Sequence, residues 1–160
     1  MNMKTVLAIS GALVLLAGLS QAQMGMMQGG GPGMMRGGMM NMSMQRHHYV
    51  MRNGLPGEYA GKRNPLGNSA EDLARGKTLY QSNCAACHGA QGQGDGPAGE
   101  NLNPRPANIA RFAKMPMASD PYLYWTISEG GTPVNSAMPP FKNVLKEQEI
   151  WQLIAYLRRM

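Results

Sequence analysis

The sequence predicts an all-α domain over residues 69–160, and three observations support it. Apolar residues recur there at spacings of three and four, bounded by the capping residues that start and stop helices. No segment alternates apolar and polar residues with the two-residue period of a half-buried strand. Large aliphatics are so few in these roughly 90 residues that the core is thin. Something other than side chains is expected to fill the middle.

Three helices carry the prediction. The first opens at Ser69, a good N-cap, with Glu71 and Asp72 in the first turn, where the helix dipole favours anions. Leu73, Gly76, Leu79 and Tyr80 then share one face. The second starts at Ser119 or Asp120, has Pro121 at its first helical position and stops before Gly130. The third runs from Lys146 to Arg159. It repeats Ile150, Trp151, Leu153, Ile154 and Leu157 at helical spacing and ends on Arg158 and Arg159.

The residues ahead of Ser69 read differently. Lys4 precedes an apolar run, Val6–Leu19, and Ser20-Gln21-Ala22 offers the small residues a signal peptidase reads. Residues 1–22 are therefore expected to be a signal peptide. The run is short for a spanning helix, which needs about 20 residues, so an uncleaved anchor is the lesser reading. Residues 23–68 are rich in Gly, Met and Gln and show no apolar period. They are expected to form a disordered tail that continues through Asn53-Gly54, Pro56-Gly57 and Asn64-Pro65 as a turn-rich linker.

Charge and composition narrow the function. Of the formal net charge of +6, residues 1–68 carry +5 and residues 69–160 only +1. The predicted domain therefore has no nucleic-acid footprint. With two Cys in the chain, a multi-disulfide scaffold and a four-Cys zinc site are excluded on count.

Those two Cys stand in Cys84-Ala85-Ala86-Cys87-His88. A C-x-x-C-H run reads as a c-type haem attachment site. Thiols three residues apart lie about one helical turn from each other, so both reach the vinyl groups on one side of a porphyrin. The histidine that follows is then placed to ligate the iron. A disulfide oxidoreductase site expects a βαβ context, and a zinc site would need a second ligand pair after His88. A structural disulfide is compatible with export. It explains neither the histidine nor the thin core. For the sixth iron position the domain offers Met115, Met117 and Met138. Pro139-Pro140 stiffens the chain beside Met138, because each ring fixes φ. His47 and His48 are more remote candidates, lying in the tail.

From Ser69 to Met160 the sequence resembles the class I monohaem c-type cytochromes of the bacterial exported branch. Gly76-Lys77-Thr78-Leu79-Tyr80 resembles their first helix, where a Gly lets the last helix cross closely. Cys84 to His88 is their haem motif, and Gly94-Asp95-Gly96-Pro97 resembles the turn that follows. Asn103-Pro104-Arg105-Pro106 resembles the segment whose carbonyl accepts the Nδ1 hydrogen of the ligating histidine, which makes Pro104 or Pro106 the expected acceptor. Ala137-Met138-Pro139-Pro140-Phe141 resembles the axial methionine loop, and Ile150 to Leu157, with Tyr156, the closing helix. The resemblance implies three to five helices around one haem, with the first and last crossing. It further implies thioethers at Cys84 and Cys87, and His88 and Met138 on the iron. One departure stands out: Lys146 occupies the place of a hydroxyl or acidic cap. A missing N-cap costs about 1 kcal/mol, so the last helix is expected to fray at its start or to shift to Asn143.

The resemblance implies a periplasmic carrier of single electrons that is not itself an enzyme. It would meet redox protein partners by transient docking and touch a membrane only through a partner complex or an uncleaved anchor. Two rivals remain. One is a copper-handling protein: Met24, Met26, Met27, Met34, Met35, Met39, Met40, Met42 and Met44 are soft thioether donors suited to Cu(I). The other is a haem peroxidase or gas-binding protein with an open sixth site. Tyr124 and Trp125 are expected in the core, with a haem propionate as their alternative partner. Arg105, Arg111, Lys114 and Lys142 are expected to be solvated or to ring the haem edge.

Overall fold

The first and last helices of the predicted domain cross in direct contact in the computed structural model, which describes residues 44–160. These residues fall within one compact unit. In chain order the helices are α1 (Gln45–Asn53), α2 (Gly57–Ala60), α3 (Ala70–Asn83), α4 (Ala85–His88), α5 (Ile109–Phe112), α6 (Asp120–Glu129) and α7 (Glu147–Leu157). Single 3₁₀ turns lie at Pro97–Gly99 and Thr132–Val134. Among the described residues there is no strand.

The α3–α7 crossing follows from one absent methyl group. A Cβ on Gly76 would collide with the Gln152 carbonyl and stand 2.8 Å from the Tyr156 Cβ, so glycine lets the two backbones meet. Around that point Tyr80 and Tyr156 pack with ring centroids 5.7 Å apart, and Gln152 donates to Asp72 at 2.9 Å. The N-caps behave as expected. Ser69 Oγ accepts from the Asp72 N–H at 3.1 Å, and Ser119 Oγ accepts from the Tyr122 N–H at 3.4 Å. The start of α7 differs from expectation. It neither shifts to Asn143 nor goes uncapped, because the Glu149 carboxylate reaches back and accepts from the Lys146 N–H at 3.0 Å. That is the carboxylate half of a capping box, which needs no hydroxyl at the cap itself.

Aromatics supply much of the core: Tyr80, Tyr122, Tyr124, Trp125, Phe141 and Trp151 are all buried. Tyr124 packs on Trp151 with centroids 4.6 Å apart, joining α6 to α7.

The disordered tail and linker expected over residues 23–68 are corrected from Met44 onward. The described part folds into α1 and α2 and lies against α6. Tyr49 stacks on Trp125 at 5.6 Å and 18°. Tyr59 is buried, packs against Tyr124 at 6.1 Å and donates its hydroxyl to Glu129. Leu55 and Leu66 add partly buried apolar surface. The composition pointed to disorder because these anchors are few and aperiodic. Each is nevertheless large, and an aromatic ring carries much burial per residue. The expected signal peptide, and Met24 to Met42 of the expected Cu(I) donors, lie outside the described residues.

Candidate functional site

The end of α3 and the single turn of α4 make one corner of the site. Cys84 closes α3, with its N–H on the Tyr80 carbonyl at 2.9 Å, and its own carbonyl accepts from the His88 N–H at 2.9 Å. One turn thus presents Cys84, Cys87 and His88 to a single apolar cavity of about 220 Å³. Both thiols are free, so the pair does not form a disulfide. Burial, and then the neighbouring Cys87, push the Cys84 thiol up to about 12.

His88 is held by its far nitrogen. Its Nδ1–H donates to the Ala107 carbonyl at 3.0 Å, which leaves Nε2 with the lone pair a metal would take. Burial lowers the imidazole's pKa, and the bond to Ala107 opposes that. The acceptor is therefore neither Pro104 nor Pro106, contrary to expectation. The Pro106 carbonyl lies where a Cβ of Gly94 would be, and the Pro106 ring packs on Gly99. With Pro106 turned toward those glycines, the next carbonyl along faces the histidine. The prolines still contribute, since both rings line the cavity.

Met138 lines the same cavity. Gly130 was expected only to end the helix, yet it also makes room for the methionine loop, because a Cβ there would strike the Met138 and Pro139 carbonyls. The Gly131 N–H then binds the Met138 carbonyl at 2.7 Å, and the Phe141 N–H binds the Ile127 carbonyl at 3.1 Å. Met138 lines the cavity, whereas Met115 and Met117 do not. Phe112, Leu123, Phe141, Leu153 and Leu157 complete an apolar wall.

The start of α1 also brings Met44, Arg46 and His47 to the wall. The sequence singled out Met44 only as a Cu(I) donor and His47 only as a remote ligand, and it gave no signal for Arg46 or for Thr126, which lines the same wall. Tyr124 and Trp125 are core residues outside the wall. Of the four basic residues singled out, Arg105 reaches the wall, Lys142 pairs with Glu129 at 2.9 Å, and Lys114 binds the Met160 carbonyl.

The cavity suits a flat apolar macrocycle with polar edges. Two thiols and an imidazole from one helical turn and the thioether of Met138 all line it. Two buried polar atoms on residues of its wall, Arg46 Nη1 and Thr126 Oγ1, lack any partner. The family described as cytochrome c oxidase, cbb3-type, subunit III matches residues 71–157. The chain belongs to this family of c-type cytochromes. It is 36% identical over 93 residues to cytochrome c-554(547) of Halothiobacillus neapolitanus, covering 55% of this chain and 96% of that one. Among solved structures it is similar to the reducing HAO-like protein complex of Kuenenia stuttgartiensis, with a TM-score of 0.50 and 25% identity over 59% of this chain. It spans 46% of that longer chain. Membership implies covalently bound haem c and a part in electron transport, and the residues of the cavity fit that group.

Proposed function

We propose that this chain is an exported carrier of single electrons. In it Cys84 and Cys87 would hold haem c through thioethers, and His88 and Met138 would ligate its iron. The observation that carries the reading is the convergence of these four side chains on one apolar cavity, with His88 already oriented by Ala107. Bound there, haem c supplies a one-electron couple whose potential the surroundings set.

The chain's own residues do the rest. Ala107 holds the imidazole in the tautomer with Nε2 free. Pro139 and Pro140 stiffen the loop that presents the Met138 sulfur, so placing a weak ligand loses little entropy. Phe112, Phe141 and Leu153 exclude water from the cavity, and a dry pocket favours the less charged ferrous state. With Met138 as a ligand beside His88, the iron would offer no open site to peroxide or gas, as a carrier requires. Lys4 and the run Val6–Leu19 support export to the periplasm. Among the described residues no helix is long and apolar enough to cross a membrane. Partners are redox proteins that dock transiently, over small interfaces.

A pyridine haemochrome spectrum with the intact mass of the secreted protein tests this directly. The expected result is one haem c, and a mass lacking residues 1–22. In the oxidised protein a sulfur-to-iron charge-transfer band is expected, and Met138→Ala should abolish it. A colourless product from a host that matures c-type haem overturns the reading. Rapid CO binding by the unaltered protein overturns the assignment of Met138.

A further inference from the structure

Arg46 is a cation in the wrong place for a protein acting alone. It lies on α1, half-buried, and its guanidinium stands 4.9 Å from the centroid of the Trp125 ring. One terminal nitrogen, Nη2, donates to the Gly130 carbonyl. The other, Nη1, is buried and has no partner. Burial depresses its pKa. Among the described residues no Asp or Glu lines the cavity, which Arg46 lines together with Arg105, His47 and His88. A buried donor without an acceptor is unfavourable, and so is a charge with no counter-charge beside it. A group that fills the cavity can supply both.

Thr126 repeats the pattern on the neighbouring helix. Its hydroxyl is buried without a partner, and the residue lines the same wall. Its carbonyl accepts from the Gly130 N–H at 3.1 Å, and Gly130 is the residue that Arg46 holds. Two orphaned donors thus share one cavity and are tied to one glycine. A carboxylate accepts from both and neutralises one.

We propose that Arg46 and Thr126 form the receptor for a propionate carboxylate of the haem, so that α1, outside the residues 71–157 matched by the family, is a working part of the haem site. The proposal rests on the covalent haem of the preceding reading. It assigns to Arg46 two roles: closing the cavity and placing a fixed positive charge beside the redox centre. That charge disfavours the ferric state and raises the potential. A guanidinium suits the place because its planar fork serves the Gly130 carbonyl with one nitrogen and a carboxylate with the other.

The test uses the full-length, haem-loaded protein and its variants Arg46→Gln, Arg46→Lys and Thr126→Val. Haemochrome spectra and intact masses come first, because a variant series without haem would count against the haem reading itself. Midpoint potentials at pH 7 then address the receptor. Arg46→Gln is expected to shift the ferric-to-ferrous ratio about tenfold toward ferric, a fall of about 59 mV for a one-electron couple. Arg46→Lys should recover much of that shift. Thr126→Val should move the potential the same way by less, and it keeps the test alive if Arg46→Gln does not accumulate. The redox-difference infrared spectrum should show the carboxylate band of a propionate moving in both Arg46→Gln and Thr126→Val. Unchanged potentials and unchanged carboxylate bands in haem-loaded Arg46→Gln and Thr126→Val overturn the proposal. Equal losses in Arg46→Lys and Arg46→Gln, with α1 released to protease in both, overturn it too, since they would reduce Arg46 to packing.

Discussion

The α3–α7 crossing and the α1–α2 segment hold to the same protein by different means. At the crossing the two backbones meet over a glycine, and along α7 Ile150, Trp151, Leu153 and Ile154 are almost wholly buried. Such an interface is continuous, and its strength is spread over many contacts. The N-terminal segment has no apolar stripe. It is pinned at separate points: Tyr49 on Trp125, Tyr59 on Glu129, and Lys62 on Glu147 at 2.6 Å and over the Tyr124 ring at 4.8 Å. The crossing is therefore expected to fail as a whole, and the segment to detach point by point.

The largest expected effect comes from α7, the helix that makes the crossing. Trp151→Ala should cost about 3–5 kcal/mol in chemical denaturation, as for other large aromatics deleted from a core. It should also loosen both regions, since Tyr124 packs on that ring and also meets Tyr59. Gly76→Val should follow at about 3 kcal/mol, because the added carbons meet the Gln152 backbone, which cannot swing aside. If Gly76→Val instead leaves the denaturation midpoint unchanged, the close crossing is not what binds α3 to α7.

Changes in the N-terminal segment should be smaller and local. Tyr49→Ala removes an aromatic stack, worth about 1 kcal/mol beyond its burial. Limited proteolysis should then cut within residues 45–68 faster, while the remaining domain resists. Uniform acceleration across the chain would show that the two regions unfold together.

Acid should separate the regions further. Burial tends to raise the Glu129 carboxyl, but hydrogen bonds from Tyr59 and Lys142 outweigh it and hold the group below the ordinary carboxylate range. Its contribution is therefore present above the unfolded-state pKa and is lost as pH falls through the lower folded value. Protease sensitivity of residues 45–68 should rise over that acid interval, and Glu129→Gln should abolish the pH dependence. The smallest effect is expected from Glu149→Gln. It weakens the Lys146 cap and the exposed pair with Arg75, for a loss of about 1 kcal/mol or less.

Much of the candidate site was legible before any coordinates. Cys84, Cys87 and His88 are adjacent in sequence, so one turn of helix must place them together. Met138 was distinguishable from Met115 and Met117 by the two prolines after it, and it is the one that lines the cavity. Choosing the carbonyl that faces His88 was beyond the sequence. Ala107 and Pro106 differ by one peptide unit, and the choice depends on how closely Gly94 and Gly99 let the chain approach. The place of α1 was equally hidden: Arg46 meets Gly130 across 84 residues, and no periodicity encodes such a contact.

The order of residues alone determined the all-α class, the helix start at Ser69, the start of the next at Ser119 or Asp120, and the C-x-x-C-H corner, because each depends on interactions within one turn of chain. Only the tertiary structure decided which carbonyl orients His88, that the Met138 loop lies against Gly130 and Gly131, and that a segment with the composition of a tail lines the cavity. Those outcomes depend on which distant surfaces can approach without collision, and that is settled when the helices pack.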